Sequence, residues 1–137
     1  MDTLETIRAR RAVKHFEPDF EMPPEHEKEL FDLVRQSPTS FNIQNWRFVV
    51  VKNPGLRTKI QDAAWGQAQV SEASLLIVMC ADLKAWNRNP ERYWRDAPKE
   101  AQDKLVPLIP SFYSDNPELQ RDEAMRSVGI AAQTLML

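Results

Sequence analysis

The sequence predicts a domain that mixes α-helices with β-strands, and the middle of the chain carries the main observations. A run rich in β-branched residues, 47–51, and an apolar run, 75–81, have the composition of strands. Between them, apolar residues recur with helical spacing over residues 56–64. Strand, helix and strand in this order are typical of an α/β or an α+β fold. The chain has 137 residues, which suffices for one domain with a hydrophobic core.

The N-terminal part predicts two helices joined by irregular chain. Asp2 opens a capping-box pattern, so we expect a helix that begins there and fades near Arg11. Residues 13–16 alternate apolar and polar side chains, which indicates extended chain. Pro24 suits the first turn of a second helix, and Pro38 is expected to stop it.

The middle of the chain predicts two strands around a third helix. Residues 47–51 are rich in β-branched side chains, which indicates a strand. Residues 53–55 predict a turn, and the helix after them is expected to end near Gly66. Residues 75–81 are apolar on both faces, as in a strand covered on both sides, so we expect Cys80 to be buried.

The C-terminal part predicts an irregular segment followed by a long helix. Residues 82–117 mix aromatic residues with prolines, so we expect short helices and loops, or a lid. From Glu118 onward the apolar spacing is helical, and from Val128 it is apolar almost all round. Such a pattern favours a buried helix or a close helix–helix contact. The sequence stops at Leu137 in mid-pattern without a cap, so we expect further chain downstream.

Composition excludes several classes of function. The net charge of −2 and the sequence pI near 5.7 argue against a nucleic-acid binder, which needs a basic face. The single cysteine excludes a disulfide framework within one chain, and His15 and His26 lack the spacing of a metal site. No apolar signal stretch or membrane-spanning run occurs, so no membrane partner is expected and the cytoplasm is the expected compartment.

Four cationic side chains lie close together near the start of this acidic chain: Arg8, Arg10, Arg11 and Lys14. A phosphate monoester carries nearly two negative charges and several acceptors, so it suits the forked donor of an arginine. Lys14 lies further along the chain, where it could reach a different part of the same ligand. The alternative is a solvated cationic helix end, which is favourable to the helix dipole.

A polar loop connects the second predicted helix to the first strand. Asn42 and Gln44 alternate, which places both amides on one face if the segment is extended. An amide presents a donor and an acceptor together, so it can match the polar edge of a pyrimidine-like ring. The alternative is a turn that ends the helix with ordinary local hydrogen bonds. The candidate binding residues of the loop are Pro38, Thr39, Ser40, Asn42 and Gln44.

A third candidate segment follows Gly66, which can end a helix. Gln67 and Gln69 alternate there and face either a ligand or water. The chain has three glycines and no glycine-rich phosphate loop, so a dinucleotide fingerprint is absent. The cations, amides and hydroxyls together suggest a bound phosphorylated cofactor.

These segments resemble the motifs of the FMN-dependent nitroreductase family, both in their order along the chain and in most of their residue types. The family's Arg-Arg-Ser-x-Arg/Lys-x-Phe motif reads Arg-Arg-Ala-Val-Lys-His-Phe at residues 10–16. Its Pro-Ser-Ser-x-Asn-x-Gln-Pro-Trp loop reads Pro-Thr-Ser-Phe-Asn-Ile-Gln-Asn-Trp at residues 38–46. A Gly-Gln turn before the second strand is found at residues 66–67, and residues 129–133 resemble the family's long central helix.

The resemblance implies an α+β fold of three layers, with a central, mostly antiparallel sheet flanked by helices. It also implies a homodimer with FMN at the subunit interface. By motif position, Arg10 and Arg11 serve the phosphate and nearby polar groups. Lys14 faces the N1/O2 side of the flavin, where reduction places negative charge. The polar loop approaches FMN largely from the partner chain, and Gln67 contacts the ring or the ribityl chain.

The implied reaction is a ping-pong transfer of electrons from NAD(P)H through FMN to a small-molecule acceptor, such as a nitroaromatic or a quinone. The cofactor carries this chemistry, so no catalytic side chain is assigned. The alternative is a truncated dimerisation or binding module of the same fold without catalysis, which the abrupt apolar terminus favours.

Two departures from the family pattern matter. Ala12 stands at a cofactor-binding position where the family has serine, so one hydroxyl donor is lost. The family's downstream part supplies a loop near the flavin N5 and further cations for the phosphate, and these are not within residues 1–137. We therefore expect residues 1–137 to form a single nitroreductase-like domain that is incomplete at its C-terminus.

Overall fold

The structure, a computed structural model, describes residues 2–137. Helices dominate it, and two strands form a small sheet. The α-helices are α1 (Thr3–Ala9), α2 (Pro24–Val34), α3 (Pro54–Ala63), α4 (Gln69–Glu72), α5 (Lys99–Leu105), α6 (Leu108–Tyr113) and α7 (Pro117–Met136). The strands are β1 (Trp46–Val50) and β2 (Ile77–Ala81), and short 3₁₀ turns cover Ser40–Asn42, Ala85–Asn87 and Pro90–Tyr93.

Local capping fixes where α1 and α3 begin. At α1, the Asp2 carboxylate accepts from the Glu5 N–H at 2.8 Å, and the Glu5 carboxylate accepts from the Asp2 N–H at 3.0 Å. This capping box confirms the predicted start of the first helix. The turn predicted at residues 53–55 is wrong, because the Asn53 side chain caps α3 and Pro54 occupies the first turn of the helix.

The two strands pair antiparallel. The Val51 N–H donates to the Leu76 carbonyl at 2.9 Å, and the Asp82 N–H donates to the Asn45 carbonyl at 2.7 Å. Both predicted strands are confirmed, with small shifts of their ends. The predicted burial of Cys80 is wrong, since this side chain is exposed. Exposure alternates along β2, so an apolar sequence on both faces did not ensure cover on both faces.

The chain divides into two compact units. Of the described residues, the first unit comprises 2–32, 48–78 and 136–137, and the second comprises 33–47 and 79–135. The first unit therefore contains α1, α3 and α4, whereas the second contains the polar loop, α5, α6 and nearly all of α7. The single domain expected from the sequence stays a prediction.

Within the first unit, Arg57 of α3 ties three backbone positions together. Its guanidinium donates to the carbonyl oxygens of Val51 at 2.9 Å, Ala73 at 2.5 Å and Ser74 at 3.2 Å. Charge-assisted bonds of this kind hold the chain that leaves α4 against α3. They fix α4, which contacts part of the candidate site.

Within the second unit, the core is a cluster of buried side chains from the polar loop, the 82–117 segment and α6: Ile43, Ala85, Trp86, Ile109 and Tyr113. The short helices expected in that segment are confirmed. This core lies directly beneath the polar loop and gives it a rigid support.

Helix α7 confirms the long C-terminal helix and buries a mixed face. Its buried positions are Gln120, Ala124, Ser127 and Ala131. Gln120 is satisfied there, because its amide donates to the Tyr113 carbonyl at 2.6 Å and accepts from Lys84 Nζ at 2.9 Å. Near its end Ile130 and Met136 are exposed in the single chain, so the helix is not fully buried there, and the alternative of a close helix–helix contact stays a prediction. Neither α7 nor any other described helix combines the length and apolar character needed to cross a membrane.

Candidate functional site

Arg10 and Lys14 are cations without counterions in the first unit. Both belong to residues 10–16, named here the cation segment, which follows α1 and has no regular secondary structure. Across residues 2–137, neither the Arg10 guanidinium nor the Lys14 ammonium has a hydrogen bond or an ion pair. Lys14 is exposed and Arg10 is partly exposed. Two uncompensated cations this close in sequence provide the charge that a phosphate ester binds.

Arg11 behaves differently from its neighbours. Its Nη1 donates to the carbonyl oxygens of Arg8 at 2.6 Å and Arg10 at 2.8 Å. This arrangement matches the alternative of a cationic helix end. The guanidinium bonds carbonyl groups at the end of α1, and its charge is favourable to the helix dipole. Ala12 is exposed and brings only backbone polar groups.

Side chains of α4 contact the cation segment. Gln69 Nε2 donates to the Val13 carbonyl at 3.3 Å. Glu72 Oε2 accepts from the Phe16 N–H at 3.0 Å, and Glu72 Oε1 lies 3.3 Å from His15 Nδ1. The Phe16 N–H, and after it the His15 ring, hold the pKa of Glu72 below its ordinary value of 4.5.

Gln67 follows a left-handed turn after α3. Trp65 has a φ of 58° and Gly66 a φ of 70°, a region that suits glycine and is uncommon for tryptophan. The Trp65 side chain is 92% exposed. The Gln67 side chain has no hydrogen bond within residues 2–137, so it is available to a ligand, whereas the amide of Gln69 is engaged with the cation segment.

The polar loop, residues 38–44 of the second unit, contains three left-handed residues. Phe41, Asn42 and Gln44 have φ angles of 50°, 54° and 54°. Residues other than glycine occupy this region only where their surroundings impose it. The loop is therefore not extended, so the condition under which the two amides would share one face is not met, and the chain turns as in the alternative. They meet nevertheless, because Gln44 Nε2 donates to Asn42 Oδ1 at 3.2 Å.

The polar groups of this loop are largely arranged by bonds within the second unit. Thr39 Oγ1 accepts from the Gln44 N–H at 3.0 Å, and Asn42 Nδ2 donates to the Tyr93 carbonyl at 3.2 Å. Within residues 2–137 the side-chain oxygen of Gln44 has no partner. Hydrogen bonds therefore order the loop before any ligand binds, and the side-chain oxygen of Gln44 stays available as an acceptor.

Phe41 fastens the loop to the core of its unit. Burial raises the pKa of the core residue Tyr113 above its ordinary value of 10.0, against an opposing effect of the Ser40 side chain. The Phe41 carbonyl accepts from Trp94 Nε1 at 2.9 Å, and the Phe41 ring meets the Tyr113 ring edge-on at 6.1 Å between centroids. Sequence reasoning assigned Trp94 no role, because only the fold brings its indole to the loop. Pro38 is exposed.

An ion-pair network that sequence reasoning missed anchors the end of the loop. Arg47 Nη2 lies 2.8 Å from Asp82 Oδ2, and Arg88 Nη1 lies 3.3 Å from the same oxygen. Arg47 Nη1 also donates to the Gln44 carbonyl at 3.0 Å. No local pattern marks this network, since its members are distant in sequence and meet only through the pairing of β1 with β2.

The predicted binding residues fall into two sets. Arg10, Arg11, Ala12, Lys14 and Gln67 belong to the first unit, and Pro38, Thr39, Ser40, Asn42 and Gln44 belong to the second. None of them lines the open cleft of about 630 Å³ in the first unit, whose wall includes Glu27, Lys52 and Arg57. Within residues 2–137, no group of three or more His, Cys, Asp or Glu side chains is arranged to hold a metal ion.

Comparisons with known proteins place these features in a family. The sequence pattern of the nitroreductase family matches residues 7–137. Protein DrgA of Synechocystis sp. is 52% identical over 137 residues, which are 100% of this chain and 65% of DrgA. The NADH dehydrogenase of Thermus thermophilus is 32% identical over 84 residues, which are 61% of this chain and 40% of that protein.

Solved structures agree with the fold. A protein of Exiguobacterium sibiricum, solved in complex with FMN, superposes with a TM-score of 0.89 at 24% identity. The match covers 99% of this chain and 68% of that one. The chain thus spans about two thirds of the length of DrgA and of this structure. The likeness confirms the predicted fold class. Because the family pattern matches nearly the whole sequence, the chain belongs to the nitroreductase family.

Proposed function

We propose that the chain is an FMN-dependent oxidoreductase, which takes electrons from NAD(P)H and passes them to a small-molecule acceptor such as a nitroaromatic or a quinone. The observation that carries the proposal is the pair of cations, Arg10 and Lys14, which have no counterion within residues 2–137 of a chain of net charge −2. Carboxylates are abundant on this chain, yet none of those in the described part pairs with these two groups. Such cations favour an anionic ligand.

The donor chemistry of the residues present fits FMN. Arg10 offers a forked donor to the phosphate, and Arg11 and the backbone of Ala12 add donors beside it. Lys14 offers a compact charge suited to the N1/O2 side of the ring. Gln67, with a free amide, suits the ring or the ribityl hydroxyls.

The second set of residues offers amides and hydroxyls rather than charge. Gln44 keeps a free oxygen, and its nitrogen is held by Asn42, so the pair presents a fixed pattern of acceptors and donors. Thr39 and Ser40 stand beside them, and Pro38 begins the loop. We propose that this loop binds the same flavin from the partner subunit of a homodimer.

Exposed apolar residues of α7 support a homodimer. Met125 and Ile130 are 59% and 37% exposed. A Cβ added at Gly129 would meet no atom within 4 Å, so the helix backbone is open to close approach there. Apolar side chains beside an accessible glycine are typical of a helix that packs against another protein surface.

FMN, when bound, supplies the redox chemistry by taking two electrons from NAD(P)H and giving them to the acceptor in a second half-reaction. The chain's residues bind and orient, and the Lys14 charge stabilises negative charge at the N1/O2 side. No side chain is required to transfer a proton. The FMN found in the Exiguobacterium protein and the name of the Thermus relative support this choice of cofactor and donor.

A dimerisation or binding module of the same fold, without catalysis, is the second candidate. It is favoured by the exposed apolar face of α7, which serves a dimer whether or not flavin binds. The two candidates share their fold and differ in whether flavin is retained.

Flavin retention followed by reduction tests the proposal. The purified chain is saturated with FMN, desalted and heated, and the released flavin fluorescence is measured. A second sample is treated with NADH or NADPH without oxygen, and then with menadione or a nitroaromatic. We expect about one FMN per chain, bleaching of its absorbance by a reduced nicotinamide, and recovery with the acceptor. A dimer that retains no flavin at saturating FMN contradicts the oxidoreductase and supports the module.

A further inference from the structure

We propose that α4 positions the cation segment, with Gln69 and Glu72 acting as positioning residues for Lys14. Neither side chain is proposed to touch a ligand. The effect on flavin binding rests on the function proposed above, whereas the tether itself is a property of the free chain.

The cation segment does not hold its own shape. Within residues 11–16, the backbone groups with a described hydrogen bond are the Val13 carbonyl and the Phe16 N–H, and both bond to side chains of α4. A segment without regular structure samples many backbone conformations unless outside contacts restrict it. The contacts from α4 supply that restriction.

These contacts bracket Lys14 on both sides. Val13 precedes it and is held by Gln69 at 3.3 Å, and His15 follows it and lies 3.3 Å from Glu72. The Glu72 side chain is 23% exposed, whereas that of His15 is 77% exposed. The carboxylate is therefore the more shielded partner of the pair.

Helix α4 is itself anchored to α3. Gln61 Nε2 donates to Ser71 Oγ at 3.1 Å, and Arg57 Nη1 donates to the Ala73 carbonyl at 2.5 Å. Contacts therefore run from α3 through α4 to the residues on either side of Lys14. A four-residue helix could not position another segment without such support.

A cation that is held in place before binding attracts an anion at a smaller entropic cost than a mobile one. Removing Glu72 should therefore weaken FMN binding although no ligand contact is lost. Lys14 is assigned to the N1/O2 side of the ring, which FMN and riboflavin share, so both flavins should bind more weakly and the midpoint potential of bound FMN should fall. A residue that only stabilised the fold would weaken binding without moving that potential.

Limited trypsin digestion of the flavin-free chain tests the tether directly, because the cation segment offers cleavage sites after Arg10, Arg11 and Lys14. Cleavage there is followed by mass spectrometry in wild type, Glu72→Ala and Glu72→Gln. We expect cleavage about fivefold faster in Glu72→Ala, since cleavage follows the population of the open segment. Glu72→Gln keeps an acceptor for the Phe16 N–H, so its rate should lie between the other two.

Two controls separate the tether from general unfolding. Glu100→Ala removes an exposed carboxylate of α5 that has no bond within residues 2–137, and it should leave cleavage unchanged. Cleavage after Lys59 in α3 reports opening of the first unit, so it should not rise in Glu72→Ala. Unchanged cleavage of the cation segment in both Glu72→Ala and Gln69→Ala overturns the proposal. A rise at Lys59 equal to that at Lys14 also overturns it.

Titrations with FMN and riboflavin connect the tether to the site. In Glu72→Ala we expect the FMN dissociation constant to rise about fivefold, as lost pre-organisation predicts, with a similar change for riboflavin and a lower midpoint potential of bound FMN. Faster cleavage in a chain that binds neither flavin supports the tether and contradicts the proposed function. Equal FMN affinity and equal cleavage in wild type and Glu72→Ala overturn the tether and leave the proposed function standing.

Discussion

The cations near the N-terminus differ in whether the chain itself supplies partners for their side chains. Arg11 donates to the carbonyl oxygens that end α1, so much of its hydrogen-bonding capacity is used within the chain. Arg10 and Lys14 have no such partners within residues 2–137. Their charges can therefore attract an approaching anion, so Arg10 and Lys14 are the residues to test for ligand binding.

Lys14→Met should lower the midpoint potential of bound FMN. Without the ammonium group, negative charge at the N1/O2 side of the reduced ring loses a charged partner. A loss of about 1.5–3 kcal/mol corresponds to a fall of about 30–60 mV for a two-electron couple. Spectroelectrochemical titration measures it, and Lys59→Met on α3 is the matched control. An unchanged potential removes Lys14 from its proposed role.

Acid should abolish the contribution of Glu72 to stability. The Phe16 N–H and His15 hold its pKa below the ordinary value of 4.5, so the unfolded chain binds this proton more readily than the folded chain. The stability it contributes is therefore present above pH 4.5 and is lost as the pH falls through the folded pKa. Urea unfolding of wild type and Glu72→Ala should differ at pH 7 and converge at low pH. A difference that stays constant down to pH 3 contradicts this assignment.

Single residues were predictable from the sequence only where a local or family pattern marks them. Arg10 and Lys14 were proposed from a motif, and their binding role stays a prediction; within residues 2–137 neither side chain has a partner. Glu72 has no local signal, because its partners lie far away in the sequence. The burial of Cys80 was wrongly predicted, since burial depends on what covers a strand and not on the strand's own composition.

Among the elements, the polar loop is the one whose shape depends most on its neighbours. Its three left-handed residues are held by the bonds that Tyr93, Trp94 and Arg47 make with it. Local strain of this kind persists only where the surroundings over-determine it. The shape of the polar loop therefore depends on the segment around Trp94.

Trp94→Phe should destabilise the second unit. The change removes the indole N–H that bonds the Phe41 carbonyl and keeps an aromatic ring in place. We expect the free energy of unfolding to fall by about 0.5–1.5 kcal/mol, the usual worth of such a bond. The control is Trp65→Phe, whose side chain is 92% exposed and which should change stability by less than about 0.5 kcal/mol. Equal effects of the two changes in urea titrations contradict the role given to Trp94.

Elements were predicted best where their signals are local. The capping box of α1, the β-branched run of β1 and the helical spacing of α7 each depend on neighbouring residues, and each was confirmed. The start of α3 was missed because Asn-Pro-Gly suits a turn as well as a capped helix start. The left-handed polar loop was missed because its geometry is imposed by contacts from Trp94 and Tyr93.

For the whole molecule, the resemblance implies two sets of binding residues and a homodimer with FMN at the subunit interface, and both stay predictions. Helix α7 is the proposed contact of that homodimer. Ile130→Arg should place a charge in that contact, where burying it without a partner is unfavourable. We expect the dimer dissociation constant to rise at least about tenfold by analytical ultracentrifugation. Leu108→Arg on α6, at another exposed apolar residue, should leave it unchanged, and a dimer unaffected by Ile130→Arg contradicts the proposed contact.

The central claim is that Arg10, a cation without a partner within residues 2–137, holds the phosphate of FMN, and comparing FMN with riboflavin in wild type and Arg10→Ala tests it most directly. We expect the wild type to prefer FMN, and Arg10→Ala to lose about 1.5–3 kcal/mol of FMN affinity, as for a lost charge-assisted hydrogen bond. Riboflavin affinity should hardly change, so the preference should shrink. Equal dissociation constants for the two flavins in the wild type, or an FMN preference that Arg10→Ala leaves intact, would contradict the account.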